Sequence, residues 1–342
     1  MNKRHVTLKQ VASSAGVSYQ TVSKVLNRQI QVSKETEARI WDAARTLGYR
    51  PSFVARSLRT QRAFTIGYSW PPSSPDQENI VLDQFLQSMF LAAEERGYYL
   101  LCFPYHANAE KHLATYDELI ETRRVDGFVL SSIEYNDPRV NLLLERNFPF
   151  VGFGRSNPDL VFPWIDVDGG LGIRESMLHL LEKGHRRIAA LAWPPDSRVG
   201  NNRMEGYFSA LQDAGIAPED DWIKRGNGVF DFGYRATLEL LDLSEDRRPT
   251  ALIALNDMMA LGASQAIKDR GLNVGRDFAV TGFDDAPMVQ YTAPSLTTLR
   301  QPITEIGQRI IAMLMEYINS GSIPKTPHIL VAPQLIVRSS TN

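Results

Sequence analysis

One cysteine, Cys102, in 342 residues rules out a disulfide framework and a thiolate metal cluster as the source of stability. The six histidines are dispersed, with no pair at metal-ligand spacing, so a zinc site is not suggested. No apolar run reaches the roughly 18 residues of a membrane span. The opening Met1-Asn2-Lys3-Arg4-His5 leads into polar sequence without the apolar stretch of a secretory leader, so a cytoplasmic protein is expected. Catalytic signatures are equally scarce: P-loop, nucleophile elbow and HExxH patterns do not occur. Gly169-Gly170-Leu171-Gly172 lacks the full spacing of a dinucleotide loop and reads as the start of a helix. The adjacent acids Asp284 and Asp285 point to different sides of a strand end, which is poor geometry for shared acid–base work. An enzyme is not expected, and neither is a cofactor.

Charge is present but unevenly placed. The net charge of the chain is -2, yet residues 1–62 hold 12 basic and 3 acidic side chains, a net of +9. The remaining residues carry 25 basic and 36 acidic side chains, a net of -11. A small basic head on an acidic body is what a phosphate-binding module requires, because Lys and Arg gain affinity by releasing condensed counterions.

Within the head, TLKQVASSAGVSYQTVSKVLN (Thr7 to Asn27) reads as two short helices hinged at Gly16. Leu8, Val11, Ala12 and Ala15 share one face, and Val22, Val25 and Leu26 form a second stripe. Faces this narrow bury against each other. Thr7 and Ser18 stand where a side-chain oxygen can accept from orphan backbone N–H groups. Tyr19, Gln20, Ser23 and Lys24 are left outward at the start of the second helix, polar and long enough to reach base edges. A third helix runs from the cap Ser33 through Ile40, Ala43, Ala44 and Leu47 to Gly48. The basic stretch after Pro51 is too short to be a stable helix alone. It reads either as a linker or as a hinge that becomes helical on DNA, with Leu58 wedged into a minor-groove step.

VTLKQVASSAGVSYQTVSKVLN, GYRPSFVARSLRT and the following TIGY resemble the head and hinge of the lactose/galactose repressor (LacI) family of bacterial transcription regulators. The resemblance implies base reading by Tyr19, Gln20 and Lys24. It implies phosphate positioning by Leu8, Ser18, Thr21, Ser23 and Asn27, and minor-groove contact by Ala55 and Leu58. Lys24 stands where the lactose-responsive member carries Arg, and a Lys point charge cannot make the bidentate fork of Arg onto guanine. A different operator sequence is expected.

From about Ala63 the chain alternates strand-like runs (Thr65–Ser69, Tyr98–Phe103, Gly127–Leu130, Phe150–Phe153) with helical patterns (Val81–Arg96, Leu113–Arg124). The alternation restarts at Ile173 and continues to Phe283, which predicts two α/β units with parallel sheets. The expected organisation is an all-α helix-turn-helix head over 1–50 and a hinge helix over 51–62. The two-lobed body would comprise an N-terminal lobe of 63–163 plus 295–322 and a C-terminal lobe of 164–294 plus 323–342. Ligands of such sheets bind beyond the carboxyl ends of the strands, which points to the cleft between the lobes.

The body's GHRRIA, NRMEGY, ALNDMMALGA, VTGFDDAP and LTTLRQP segments are similar to the family's periplasmic-binding-protein-like domain. That resemblance implies ligand contacts at Arg203, Asn256, Asp284 and Gln301, with Trp70, Phe153 and Phe230 as apolar walls. Guanidinium, amide and carboxylate groups can pair with adjacent hydroxyls while aromatics cover a ring face. Asn256 and Asp285 also stand between a strand and a helix, where each reads as an N-cap. The expected protein is a homodimeric, ligand-gated repressor on a pseudo-palindromic operator, with a sugar or oligosaccharide as effector. The alternatives are a purine- or nucleoside-responsive regulator of the same architecture, and a sugar-binding or enzymatic α/β protein with a basic tail.

Overall fold

The computed structural model describes residues 6–26, 30–49, 57, 60–70 and 80–342. Asn27, Ala55 and Leu58, and most of the expected hinge helix, lie outside the described residues. The chain divides into two compact units, Met1–Ala63 and Phe64–Asn342.

In the first unit, helices α1 (Leu8–Ala15), α2 (Tyr19–Leu26) and α3 (Lys34–Leu47) enclose a core of Val11, Ala12, Ala15, Val22, Val25, Ile40, Ala43 and Ala44. Gly16 makes the tight turn by adopting a φ of 65°, a left-handed value that a Cβ disfavours. The helix ends are closed by their own side chains. Thr7 and Gln10 form a capping box, in which the Gln10 side chain accepts from the Thr7 N–H at 2.8 Å. Ser18 Oγ accepts from the Thr21 N–H at 3.0 Å, and Ser33 Oγ from the Thr36 N–H at 3.3 Å. Leu47, at the last turn of α3, is exposed.

The second unit is a two-lobed α/β body. Its first sheet has the order β11-β5-β4-β3-β1-β2, all parallel, from β1 (Thr65–Trp70), β2 (Tyr99–Pro104), β3 (Gly127–Leu130), β4 (Phe150–Phe153), β5 (Trp164–Val167) and β11 (His328–Val331). Helices α4 (Ile80–Glu94), α5 (Ala109–Glu121) and α6 (Pro138–Glu145) connect its strands. The second sheet, also parallel, has the order β7-β6-β8-β9, from β6 (Ile188–Ala192), β7 (Ile223–Arg225), β8 (Ala251–Ala254) and β9 (Ala279–Thr281). Its helices are α7 (Gly169–Glu182), α8 (Arg198–Asp213), α9 (Phe230–Leu241) and α10 (Asp257–Asp269). The short strands β10 (Thr298–Arg300) and β12 (Gln334–Ile336) pair antiparallel beside this lobe. Helix α11 (Ile303–Ser320) returns to pack on α4, β3, β4 and β5.

The lobe boundary differs from the expectation. Trp164–Val167 and His328–Val331 belong to the first sheet, in register as His328↔Trp164 through Val331↔Val167. The crossovers therefore fall after Val167, near Gln301–Pro302 and after Val331. Neither strand announces itself in sequence: β5 carries Asp166 and β11 is only partly buried. Their place is set by pairing, β5 with β4 and β11 with β5. Strand β7 and helix α6 were not anticipated either, being only three and eight residues long.

Candidate functional site

Parallel strands end on the same side of a sheet, so the residues just past their carboxyl ends converge. Trp70 closes β1, Phe153 closes β4, and Trp193, Asn256 and Asp284 follow β6, β8 and β9. Together with Arg203 from α8, Phe230 at the start of α9 and Gln301, they line one interlobe cavity of about 900 Å³. The structure thus brings all seven sequence-predicted ligand residues to a single cavity. Trp193, one residue beyond β6, was missed; its signal was an aromatic at the carboxyl end of a strand.

Arg203 is buried, and its Nη1 donates to the Leu255 carbonyl. Its guanidinium lies 3.5 Å from the Phe283 ring centroid and 5.1 Å from that of Trp193, which holds the plane by cation–π contact. Gly169 makes room for it: a Cβ there would stand 2.7 Å from Arg203 Cγ. Burial pulls the guanidinium pKa down to about 10, while the nearby carboxylates of Asp284, Asp166 and Asp257 oppose the shift. It remains a cation at neutral pH.

Asp284 accepts from Gln301 Nε2 at 2.7 Å. Burial raises its carboxyl to about 6, against the lowering effects of Arg203 and Gln301. The backbone here is strained: Asp284 and Asp285 have φ values of 123° and 54°. What holds this turn is Asp257, itself buried, which accepts from the Ala286 N–H at 2.8 Å and from Thr298 Oγ1 at 2.6 Å. Burial and then the Asp284 charge hold the Asp257 carboxyl well above the usual range.

Asn256 is both a cap and a cavity residue. Its Oδ1 accepts from the Met259 N–H at 2.9 Å while its Nδ2 donates to the Gly228 carbonyl at 2.8 Å. Asp285 is not the cap its position suggested. Its carboxylate binds Arg300 Nε at 2.6 Å and Arg338 Nη2 at 2.7 Å, because the left-handed turn aims it at β10 and the chain end rather than at the following helix. The Gly169 region does begin a helix, with Asp168 accepting from the Leu171 N–H at 3.0 Å.

Contacts between the lobes were not legible beforehand. Glu134, after β3, accepts at 2.6 Å from the N–H of Arg198, the first residue of α8 in the other lobe. Arg155, paired with Asp166 at 2.7 Å, donates to Asn202 Oδ1 at 3.2 Å. The cleft is therefore bridged by hydrogen bonds from first-lobe loops to the start of α8.

In the first unit, Tyr19, Gln20 and Lys24 are exposed along one helix, Tyr19 at 49%. Leu8 is partly buried against the core, and Ser18 and Thr21 bond each other's hydroxyls at 2.8 Å. Ser23 is partly buried on α2. Among the described residues no cluster suited to a metal ion occurs, and no helix is long and apolar enough to cross a membrane.

A three-helix basic head and a two-lobed body with a polar, aromatic-walled cleft fit a DNA-binding regulator. Residues 7–52 match the model for bacterial regulatory proteins of the lacI family, and residues 177–341 match the periplasmic binding protein-like domain. The HTH-type transcriptional repressor PurR of Erwinia tasmaniensis is 35% identical over 98% of this chain and 96% of its own length. A lac repressor dimer solved with operator and the anti-inducer ONPF superposes with a TM-score of 0.82 at 28% identity, covering 99% of each chain. A LacI-family regulator from Chloroflexus aggregans is 52% identical with a TM-score of 0.78, over 82% of this chain and 99% of that one. The chain belongs to the lacI family of bacterial regulatory proteins and is a DNA-binding transcriptional repressor.

Proposed function

We propose that this repressor is a cytoplasmic homodimer whose two heads read a pseudo-palindromic operator, and that a neutral sugar in the interlobe cavity gates its DNA binding. The observation that carries the sugar reading is the buried Arg203 donor and Asp284 acceptor within a cavity walled by Trp70, Phe153, Trp193 and Phe230. Adjacent hydroxyls of a pyranose pair with a donor and an acceptor at once, and its C–H face packs on aromatic rings. A related regulator, CelR, solved as a cellobiose complex, is 30% identical over 98% of this chain and 100% of its own, with a TM-score of 0.73.

A thermal-shift panel of mono- and oligosaccharides, sugar phosphates and purines tests the reading. A true effector at 100 times its Kd adds about 2.7 kcal/mol to the folded state. A shift with neutral sugars alone supports the assignment; a shift with purines alone overturns it. Gating is tested separately by reciprocity: operator DNA must change effector affinity by the same factor that effector changes operator affinity. An unchanged value would remove the coupling.

On the DNA side, Tyr19, Gln20 and Lys24 are assigned to base edges, with Leu8, Ser18, Thr21, Ser23 and Asn27 on phosphates and Ala55 and Leu58 in the minor groove. Gln20→Ala is expected to cost about 1–3 kcal/mol at the operator while leaving random-duplex affinity nearly unchanged, measured by competition binding at fixed salt. Equal losses on both DNAs would move Gln20 from base reading to phosphate contact.

A further inference from the structure

A second cavity, of about 290 Å³, is lined among the described residues by the first lobe alone, at the carboxyl ends of β1, β2 and β3. Tyr105, His106, His112, Ser132, Tyr135 and Arg139 are among its lining residues. Its volume is near the lower end of small-molecule sites, about 300 Å³. Among the described residues it shares only Ser132 and Glu134 with the interlobe cavity.

Its lining shows what it would accept. Arg139 is buried, but its charge is spent locally: Nε donates to Asp137 at 3.0 Å, and Nη2 donates to Asp137 at 2.6 Å and to the Ser131 and Ser132 carbonyls at 3.0 and 3.1 Å. Asp137 is neutralised in the same contact and also accepts from the Arg139 N–H at 2.9 Å. This pair offers an anion or a cation no net charge. His112, buried against the cavity, is held uncharged at neutral pH by burial and then by the Arg139 charge.

The hydrogen bonds of that imidazole are long. Nε2 stands 3.4 Å from Ser69 Oγ, and Nδ1 accepts from the His106 N–H at 3.4 Å. Both lie beyond the usual range, so a ligand hydroxyl can compete for them. The Tyr105 ring packs 4.6 Å from the His112 ring, and Tyr105 and Tyr135 are each 42% exposed, which leaves aromatic surface facing the space. An aromatic wall, a neutral imidazole and serine hydroxyls together suit a ring with an apolar face and polar edges.

We propose that this cavity is a second ligand site, separate from the interlobe cavity, which takes a single neutral polyhydroxylated ring stacked on Tyr105 with its hydroxyls on His112 and Ser132. The site adjoins the lobe contact. Glu134, on its wall, carries the hydrogen bond to the Arg198 N–H of the other lobe. Occupancy would therefore hold the Ser132–Glu134 segment in the arrangement that bridges the lobes, whatever the interlobe effector is.

The test uses the full chain and D-glucose, D-galactose and D-xylose as probes, titrated by calorimetry and saturation-transfer NMR into the wild type, Asp284→Ala, Tyr105→Ala and Ala109→Trp. Ala109 lines the cavity and is exposed at the first turn of α5, so Trp there fills the space without burying new bulk in a core. At least one sugar is expected to bind Asp284→Ala within about twofold of its wild-type affinity for this site. That binding should fall at least tenfold in both Tyr105→Ala and Ala109→Trp, with melting temperatures preserved. Loss of all monosaccharide binding in Asp284→Ala would overturn the second site while leaving the interlobe reading intact. Binding of inorganic phosphate but no sugar to Asp284→Ala would overturn the neutral class, and no sugar binding to any form would overturn the proposal outright.

Discussion

Gly262→Ala is expected to destabilise the body by about 3 kcal/mol, the upper range for overpacking a closed interface. A Cβ at Gly262 in α10 would stand 2.1 Å from the Phe230 carbonyl oxygen and 2.7 Å from the Tyr234 nitrogen of α9. The contact is reciprocal, since a Cβ at Gly233 in α9 would stand 2.2 Å from the Met259 carbonyl oxygen. Backbone cannot swing aside as a side chain does, so the two helices must separate. Phe230 opens α9 and Asn256 caps α10, so the separation also pulls apart one wall of the cavity. The melting temperature should fall by roughly 5–10 °C, and effector binding should weaken with it. Gly215→Ala is the control: its φ of 66° is strained for alanine, yet no neighbour lies within 4 Å, so a loss of about 1 kcal/mol is expected. Equal destabilisation of the two variants would show that the helix crossing is not the tight contact described.

Asp284→Asn separates binding from stability in the opposite sense. If the carboxylate accepts from effector hydroxyls, its loss should cost about 3 kcal/mol, or at least a hundredfold in Kd. With the carboxyl raised to about 6, the ionised fraction grows about tenfold between pH 5 and pH 7. Wild-type affinity should rise by that factor over the interval, and the variant's should stay flat. Stability has the reverse sign. A carboxyl whose folded pKa exceeds its unfolded value favours the folded state at low pH, and that contribution is lost as pH rises through about 6. The unliganded variant should therefore be no less stable than wild type at pH 7. Calorimetric titration and melting at pH 5, 6 and 7 check both halves. A wild-type affinity independent of pH would remove the ionised Asp284 from the contact.

Much of this was legible because it is local. The cap at Ser18, the left-handed turn at Gly16 and the apolar stripes of the head depend on residues within a turn or two of each other. The parallel-sheet reading of the body rests on period and run length, and an aromatic or amide placed just beyond a strand is carried to the cleft by the topology alone. Trp70, Phe153, Asn256 and Asp284 were named through the family resemblance, and the strand ends carry them to the cleft. By the same rule Trp193 was within reach.

What stayed hidden required two distant segments to meet. Asp285 stands next to Asp284 and looked like a cap, but its partners Arg300 and Arg338 arrive from 15 and 53 residues away. Glu134 and Arg198, 64 residues apart, meet only once the lobes face each other. Strand β11 is held at the sheet edge by β5, and β5 by β4 and β11, partners that lie far off in sequence for β11, so neither carries its own signal. Periodicity, capping and charge specify the elements and the side to which their ends point, since these are properties of neighbouring residues. Which loops touch across the cleft, and which carboxyl is buried and raised there, is decided by long-range packing, because desolvation and pairing are set by whatever segment the fold brings alongside.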